Sequence, residues 1–315
     1  MTDKIKDPAQ ALYAAMEEHG LDVARAHKRP VQRFRASEAS SCVRQIWHRL
    51  NGDRPAPRTS DNLIYGVCGD IDHDATRQIM ENFGIEVGGV IHNKDGSVEE
   101  TMFFTEKFVV DTPTGPVEIV LSGRADGEIM TPLGRALLEI KGQGFYAFDW
   151  IQKAFVAGFR SGEHGQMPGG HGALLQRIKE KKRDHYWQCQ VAMKLTKHER
   201  AYLLYKDRST GQLGIHNPET GERTGVYIEF EPEVFEEILQ RFAFVKCKLL
   251  EGKPPAPEHS AKSKDCSYCD FYYLCHGAQE RREAKKKPAI LYPGPQMEIH
   301  LEDREEGDHD PEPDA

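Results

Sequence analysis

The sequence predicts an α/β chain, and three observations carry that prediction. Residues 232–250 place Val234, Phe235, Ile238, Leu239, Phe242 and Val245 at helical spacing, one apolar face of a long helix. Segments 101–111, 117–130, 136–141, 201–206 and 226–230 are instead alternating or rich in β-branched residues, as strands are. Helical patterns near 63–83, 146–159 and 184–196 fall between them, so the two kinds of element interleave.

The remaining elements follow in order. Residues 8–19 read as a short amphipathic helix after Pro8, and a basic connector with Lys28, Arg29, Arg33 and Arg35 comes next. Ser37 is expected to cap a helix running through Cys42, Ile46 and Leu50, and Asn51 to Ser60 is a Pro/Gly-rich break. Ser161 to Gly172 is Gly-rich and reads as a mobile loop; a basic stretch from Arg177 to Arg183 leads into the 184–196 helix. Residues 211–225 resemble a polar hairpin, and Pro254 to Pro257 end the 232–250 helix.

Composition sets limits. The 315 residues carry 38% hydrophobic and 29% charged side chains, ordinary for a globular protein, and a formal net charge of −8. Nine acids and one arginine lie between Glu298 and Ala315; removing them from totals of 50 and 42 leaves 41 acids and 41 bases. A charge-balanced body with an acidic tail does not exclude a nucleic-acid partner. Local basic runs such as Lys179 to Arg183 and Arg281 to Lys287 would have to provide the contact. No run reaches the roughly 20 apolar residues of a membrane helix, and the first residues lack a signal-peptide core. The expectation is a cytoplasmic protein without a membrane partner, in which the clustered cysteines among the seven serve metal binding rather than disulfides.

The most informative stretch is Ser122-Gly123-Arg124-Ala125-Asp126-Gly127-Glu128, the turn Thr131-Pro132-Leu133-Gly134, and Leu138-Glu139-Ile140-Lys141-Gly142. With a β-turn at 131–134, paired positions in the hairpin sum to 265, which sets Asp126 opposite Glu139. Directly opposed side chains share a face, with Cβ atoms about 4.5–5.5 Å apart. Lys141 shares that face, while Ala125, Ile129, Leu138 and Ile140 take the other. Two close carboxylates repel unless a cation lies between them, so the hairpin is either a Mg²⁺-type site or an edge hairpin with a solvated charged face.

Asp126…Glu139-Ile140-Lys141 resembles the D…(D/E)xK core of the PD-(D/E)xK nuclease superfamily, and Gly123-Arg124-Ala125-Asp126 is similar to the GxxD form of its RecB-like branch. The resemblance implies a restriction-endonuclease-like fold, a central mixed sheet flanked by helices. It implies that Asp126, Glu139 and the Ile140 carbonyl hold Mg²⁺ or Mn²⁺ and that Lys141 positions or activates water. It extends to His73 as a further ligand, in a Gly66…Gly69…His73 setting, and to Gln188 near the catalytic lysine. Ala192 stands where the family has a tyrosine after the glutamine, and Tyr186 is a candidate to replace that contact.

Cys266, Cys269 and Cys275 form C-x₂-C-x₅-C, and Cys42 lies in a segment similar to the family's SxxxxCxRxxW helix. One cysteine before the core and three after it resembles the iron–sulfur branch, which includes AddB-type and CRISPR-adaptation nucleases. The implied cofactor is a [4Fe–4S] cluster acting as a clasp between N- and C-terminal segments; structural Zn²⁺, with Cys₄ or Cys₃ plus His276, is the alternative. The expected organisation is a helix and connector over 1–35, a nuclease domain over 36–276, a basic linker over 277–297 and a disordered tail over 298–315. The implied activity is exonucleolytic hydrolysis of single-stranded or unwound DNA ends in recombination, repair or phage DNA metabolism, with a helicase or recombinase partner. A non-catalytic DNA-binding adaptor and a structure-specific endonuclease are the alternatives.

Overall fold

The computed structural model describes residues 33–56, 60–92, 98–160, 171–216 and 221–277. The expected 8–19 helix, the connector before Arg33, the Gly-rich segment through 170, the basic run 281–287 and the acidic tail lie outside the described residues. In chain order the strands are β1 (Phe34–Arg35), β2 (Val90–His92), β3 (Val98–Thr101), β4 (Phe103–Val110), β5 (Val117–Arg124), β6 (Gly127–Thr131), β7 (Gly134–Gln143), β8 (Arg200–Asp207), β9 (Ile215–His216), β10 (Arg223–Thr224) and β11 (Val226–Glu229). The helices are α1 (Val43–Asn51), α2 (Ser60–Asn82), α3 (Phe145–Arg160), α4 (His171–Lys181), α5 (Arg183–Thr196), α6 (Pro232–Leu250) and α7 (Lys264–Ser267). No helix among the described residues is long and apolar enough to cross a membrane.

The fold is α/β, with mixed sheets flanked by helices. The two larger sheets have the orders β1-β5-β4 and β11-β8-β7-β6, and each contains one parallel and otherwise antiparallel pairing. The chain passes from the first sheet to the second at Ala125–Asp126, so the expected 117–130 strand is two strands. Ala125 donates its N–H to Met102 on the first sheet's side, and Gly127 takes a φ of 146°, which favours glycine. This break corrects the expected side-chain alternation. Ala125 packs in the main core with Leu137, whereas Ile129, Leu138 and Ile140 form a second core with Met80 of α2 and Leu204 of β8.

Strand β7 lies between β6 and β8, and a core packs on each face, Leu137 in the main one and Leu138 and Ile140 in the second, so Ala136 to Ile140 are all buried. A run of apolar residues interrupted only by Glu139 is the pattern of a strand enclosed on both sides. The solvated edge-hairpin reading is therefore wrong: Glu139 is only 1% exposed. The main core is completed by α5 and by α6, whose Phe242 ring lies 4.6 Å from that of Phe34.

Two helix starts differ from expectation. The first helix begins at Val43, with Ser37 in a separate 3-10 turn at Ala36–Glu38. A remote group takes the capping role: Glu258 accepts the Val43 N–H at 2.8 Å and is itself gripped by Arg241 at 2.6 Å. Helix α4 also went unpredicted, although Leu174 and Ile178, one turn apart, bury its inner face.

Candidate active site

The hairpin closes in the expected register, from Gly127 opposite Leu138 to Thr131 opposite Gly134. Thr131 fixes the turn by donating its hydroxyl to the Gly134 carbonyl at 2.7 Å. Asp126 lies one residue before β6. Its Oδ2 accepts the Ile140 backbone N–H at 2.7 Å, which locks the aspartate beside Glu139 at the open end of the hairpin.

Around Glu139 the contacts form a closed triangle. Its Oε1 accepts from Lys141 Nζ at 2.7 Å and from Gln188 Nε2 at 2.7 Å, and Gln188 Oε1 accepts from Lys141 Nζ at 3.0 Å. Its Oε2 is buried and has no hydrogen-bond partner. A buried carboxylate oxygen without a hydrogen-bond partner is costly and would be satisfied by a cation.

Helix α2 supplies the other side. His73 Nδ1 lies 3.0 Å from Asp126 Oδ1. One turn later the buried Arg77 donates to the Asp126 backbone carbonyl at 3.3 Å and reaches Oδ1 at 3.6 Å. The helix is pinned to β8 by Asp72, which pairs with Lys206 at 3.0 Å and with Arg208 at 2.8 Å. A Cβ at Gly142 would meet the end of the Arg208 side chain, which would have to shift.

The two carboxyls are driven in opposite directions. Burial raises the Glu139 carboxyl above its ordinary value; Asp126 adds to the rise, and Lys141 and His73 only partly offset it. Burial works on Asp126 too, but the His73 hydrogen bond and charge and the Ile140 N–H outweigh it and hold this carboxyl low. His73 and Lys141 are pushed down by burial and up, by more, by the carboxylates they touch. Cys189, buried beneath the pocket, is pushed well up by burial and stays a neutral thiol.

The structure thus brings His73, Asp126, Glu139, Ile140, Lys141 and Gln188 together. Sequence reasoning missed Arg77, Lys206 and Arg208; only the four-residue spacing of His73 and Arg77 on one helix face signalled any of them. Tyr186 lies instead under the Lys179 ammonium, 5.1 Å from its ring centre, on the side of Glu231. Gln190 is structural, donating to the Glu229 carbonyl and accepting the Glu231 N–H, both at 2.8 Å.

The cysteines gather at a second location. Burial lifts the Cys269 thiol to about 11; the Phe271 N–H opposes this, while Cys275, Cys42 and Cys266 add to it. Cys275 Sγ lies 3.7 Å from His48 Nε2, whose Nδ1 is 2.6 Å from Asp53, and Cys266 Sγ lies 3.6 Å from His276 Nε2. Ala56 donates to the Asp270 carbonyl at 2.8 Å and Tyr273 to that of Arg54, which ties the chain after α1 to the cysteine segment. Among the described residues, no group of three or more His, Cys, Asp and Glu is spaced to hold a metal ion as it stands. Cys189 and Cys247 are free thiols elsewhere in the fold.

No family model and no curated protein matches this chain. Solved structures resemble it distantly. The crystal structure of SSO0001 has a TM-score of 0.43 at 14% identity, over 84% of this chain and 96% of that one. LHK-Exo in complex with dAMP has a TM-score of 0.39 at 14% identity, over 77% of this chain and 93% of that one. The alkaline exonuclease LHK-Exo from Laribacter hongkongensis has a TM-score of 0.38 at the same identity and coverage. Likeness this remote carries no argument about the activity of this chain, which rests on the site itself.

Proposed function

We propose that the chain is a metal-dependent DNA nuclease of the PD-(D/E)xK superfamily, acting as an exonuclease on single-stranded or unwound ends. The buried, unpartnered Glu139 Oε2 beside Asp126 and His73 carries this reading, because hard oxygen donors with an imidazole suit Mg²⁺ or Mn²⁺. A divalent cation held by His73, Asp126, Glu139 and the Ile140 carbonyl would polarise the scissile phosphodiester and ionise a water near neutral pH. Lys141 keeps a positive charge in the same pocket, available to the charge that builds on the phosphate during in-line displacement. Gln188 holds Glu139 and Lys141 in fixed relation, and the Ile140 N–H does the same for Asp126.

We assign Cys42, Cys266, Cys269 and Cys275 a [4Fe–4S] cluster: the last three lie in one short segment that is hydrogen-bonded to the chain after α1, the helix that directly follows Cys42. Zn²⁺ is the alternative, and a brown sample with broad visible absorption separates iron–sulfur from colourless zinc. The RecB-like resemblance adds a helicase or recombinase as partner.

Digestion of end-labelled linear and closed circular DNA with Mg²⁺ or Mn²⁺ tests the activity. Linear DNA is expected to be degraded from its ends while circles survive. Nicked circles would make the enzyme an endonuclease, and intact DNA in both metals would reject the nuclease reading.

A further inference from the structure

Strand β7, which carries Glu139 and Lys141, runs through Gly142-Gln143-Gly144 into the first turn of α3, which begins with Phe145 and Tyr146. Both rings are at the surface, 54% and 68% exposed, and stand edge to face with centres 5.5 Å apart. Large aromatic rings normally bury most of their area, so an exposed pair needs a reason. Four residues of chain span at most about 14 Å, which keeps Phe145 within that distance of Lys141.

Cations flank the same strand end. Lys182 Nζ donates to Gln143 Oε1 at 3.1 Å, and the Arg208 backbone N–H donates to the Gln143 carbonyl at 2.9 Å. The Arg208 side chain, 31% exposed, lies against Gly142 and shares Asp72 with Lys206. Exposed aromatics beside lysine and arginine match a polyanion whose bases are free to stack. A duplex offers grooves and phosphates but no free base faces.

We propose that Phe145 and Tyr146 form a stacking platform for the bases of single-stranded DNA next to the cleavage site, with Lys182 and Arg208 meeting its phosphates; this rests on the nuclease reading. The platform makes the enzyme a reader of unpaired strands and gives the strand a path along the C-terminal end of β7.

Fluorescence anisotropy of the full chain without divalent metal reads binding apart from cleavage. The probes are labelled oligo(dT) and an abasic strand of equal length. Wild type should bind oligo(dT) about tenfold or more tighter than the abasic strand. The Phe145→Ala/Tyr146→Ala variant should lose that preference, and Phe145→Trp/Tyr146→Trp should keep it. Lys182→Ala should weaken both probes alike and lower the salt slope by about one. Equal affinity of wild type for the two probes overturns the platform, and needs no variant. So does a preference that survives in a double-alanine variant with a normal melting curve. Neither result bears on whether end-labelled DNA is cut with Mn²⁺, which judges the nuclease reading by itself.

Discussion

The carboxylate pocket and the cysteine corner are both assembled from distant parts of the chain, but they are held in opposite ways. The pocket sits on a central strand in a fixed ladder, with α2 on one side and Gln188 of α5 on the other. Its charges are matched among themselves, apart from one carboxylate oxygen. The cysteine corner has the four-residue helix α7, with Ser263 capping it by accepting the Cys266 N–H at 3.1 Å, then turns and a short helical segment over 272–277. Burial pushes the Cys269 and Cys275 thiols up, and neighbouring cysteines add to the rise. On the proposed reading, the pocket keeps its geometry through its own ion pairs and hydrogen bonds, while the corner would depend on a bound cofactor for stability.

The sharpest way to break this contrast is to remove charge from the pocket. Glu139→Gln and Lys141→Met are expected to lower cleavage at least about a hundred- to thousandfold, the scale of losing one preorganised charge contact. Glu139→Gln should leave the melting temperature unchanged or raised, because a neutral amide avoids the cost of the buried, upward-shifted carboxyl. A large loss of stability in that variant would mean that the pocket is structural. Next in size, Cys269→Ser should abolish cofactor binding and lower the melting temperature by roughly 5 °C or more. An unchanged melting curve with cofactor lost would show that the corner does not clasp the fold.

Acid should reveal the pocket wall. Burial depresses His185, on α5 beside Lys141, to about 4, with Asp184 partly opposing and Lys141 and Lys182 assisting. Above the unfolded value of about 6.5 the imidazole is neutral in both states, and its environment carries no penalty. Between about 6.5 and 4 the unfolded chain takes up the proton and the folded one does not. Stability falls over that window by something on the order of 3 kcal/mol. His185→Gln should flatten the decline in denaturation measured across it; an identical slope would place the acid sensitivity elsewhere.

Much of this was legible in sequence, for identifiable reasons. Helix α6 and the hairpin register came through because each rests on local periodicity and one turn, both carried by contiguous residues. The break at Ala125–Asp126 did not, since alternation was carried through a glycine whose backbone interrupts it. Glu258 capping Val43 is a long-range choice that no local window contains. The same holds for burial of Glu139: a charged residue in a strand reads as surface until the strand proves to be central. At the cysteine corner, spacing named the thiols, but only the fold brings His48 and Asp53 beside Cys275.

The account stands on Glu139 and Asp126 being cation ligands, and Mn²⁺ uptake followed by electron paramagnetic resonance tests that most directly. Wild type should remove the free Mn²⁺ signal, more completely as pH rises, because the raised Glu139 carboxyl holds a proton that competes with the cation. A folded Glu139→Gln variant should leave the signal in place. Equal uptake by the two proteins would contradict the account.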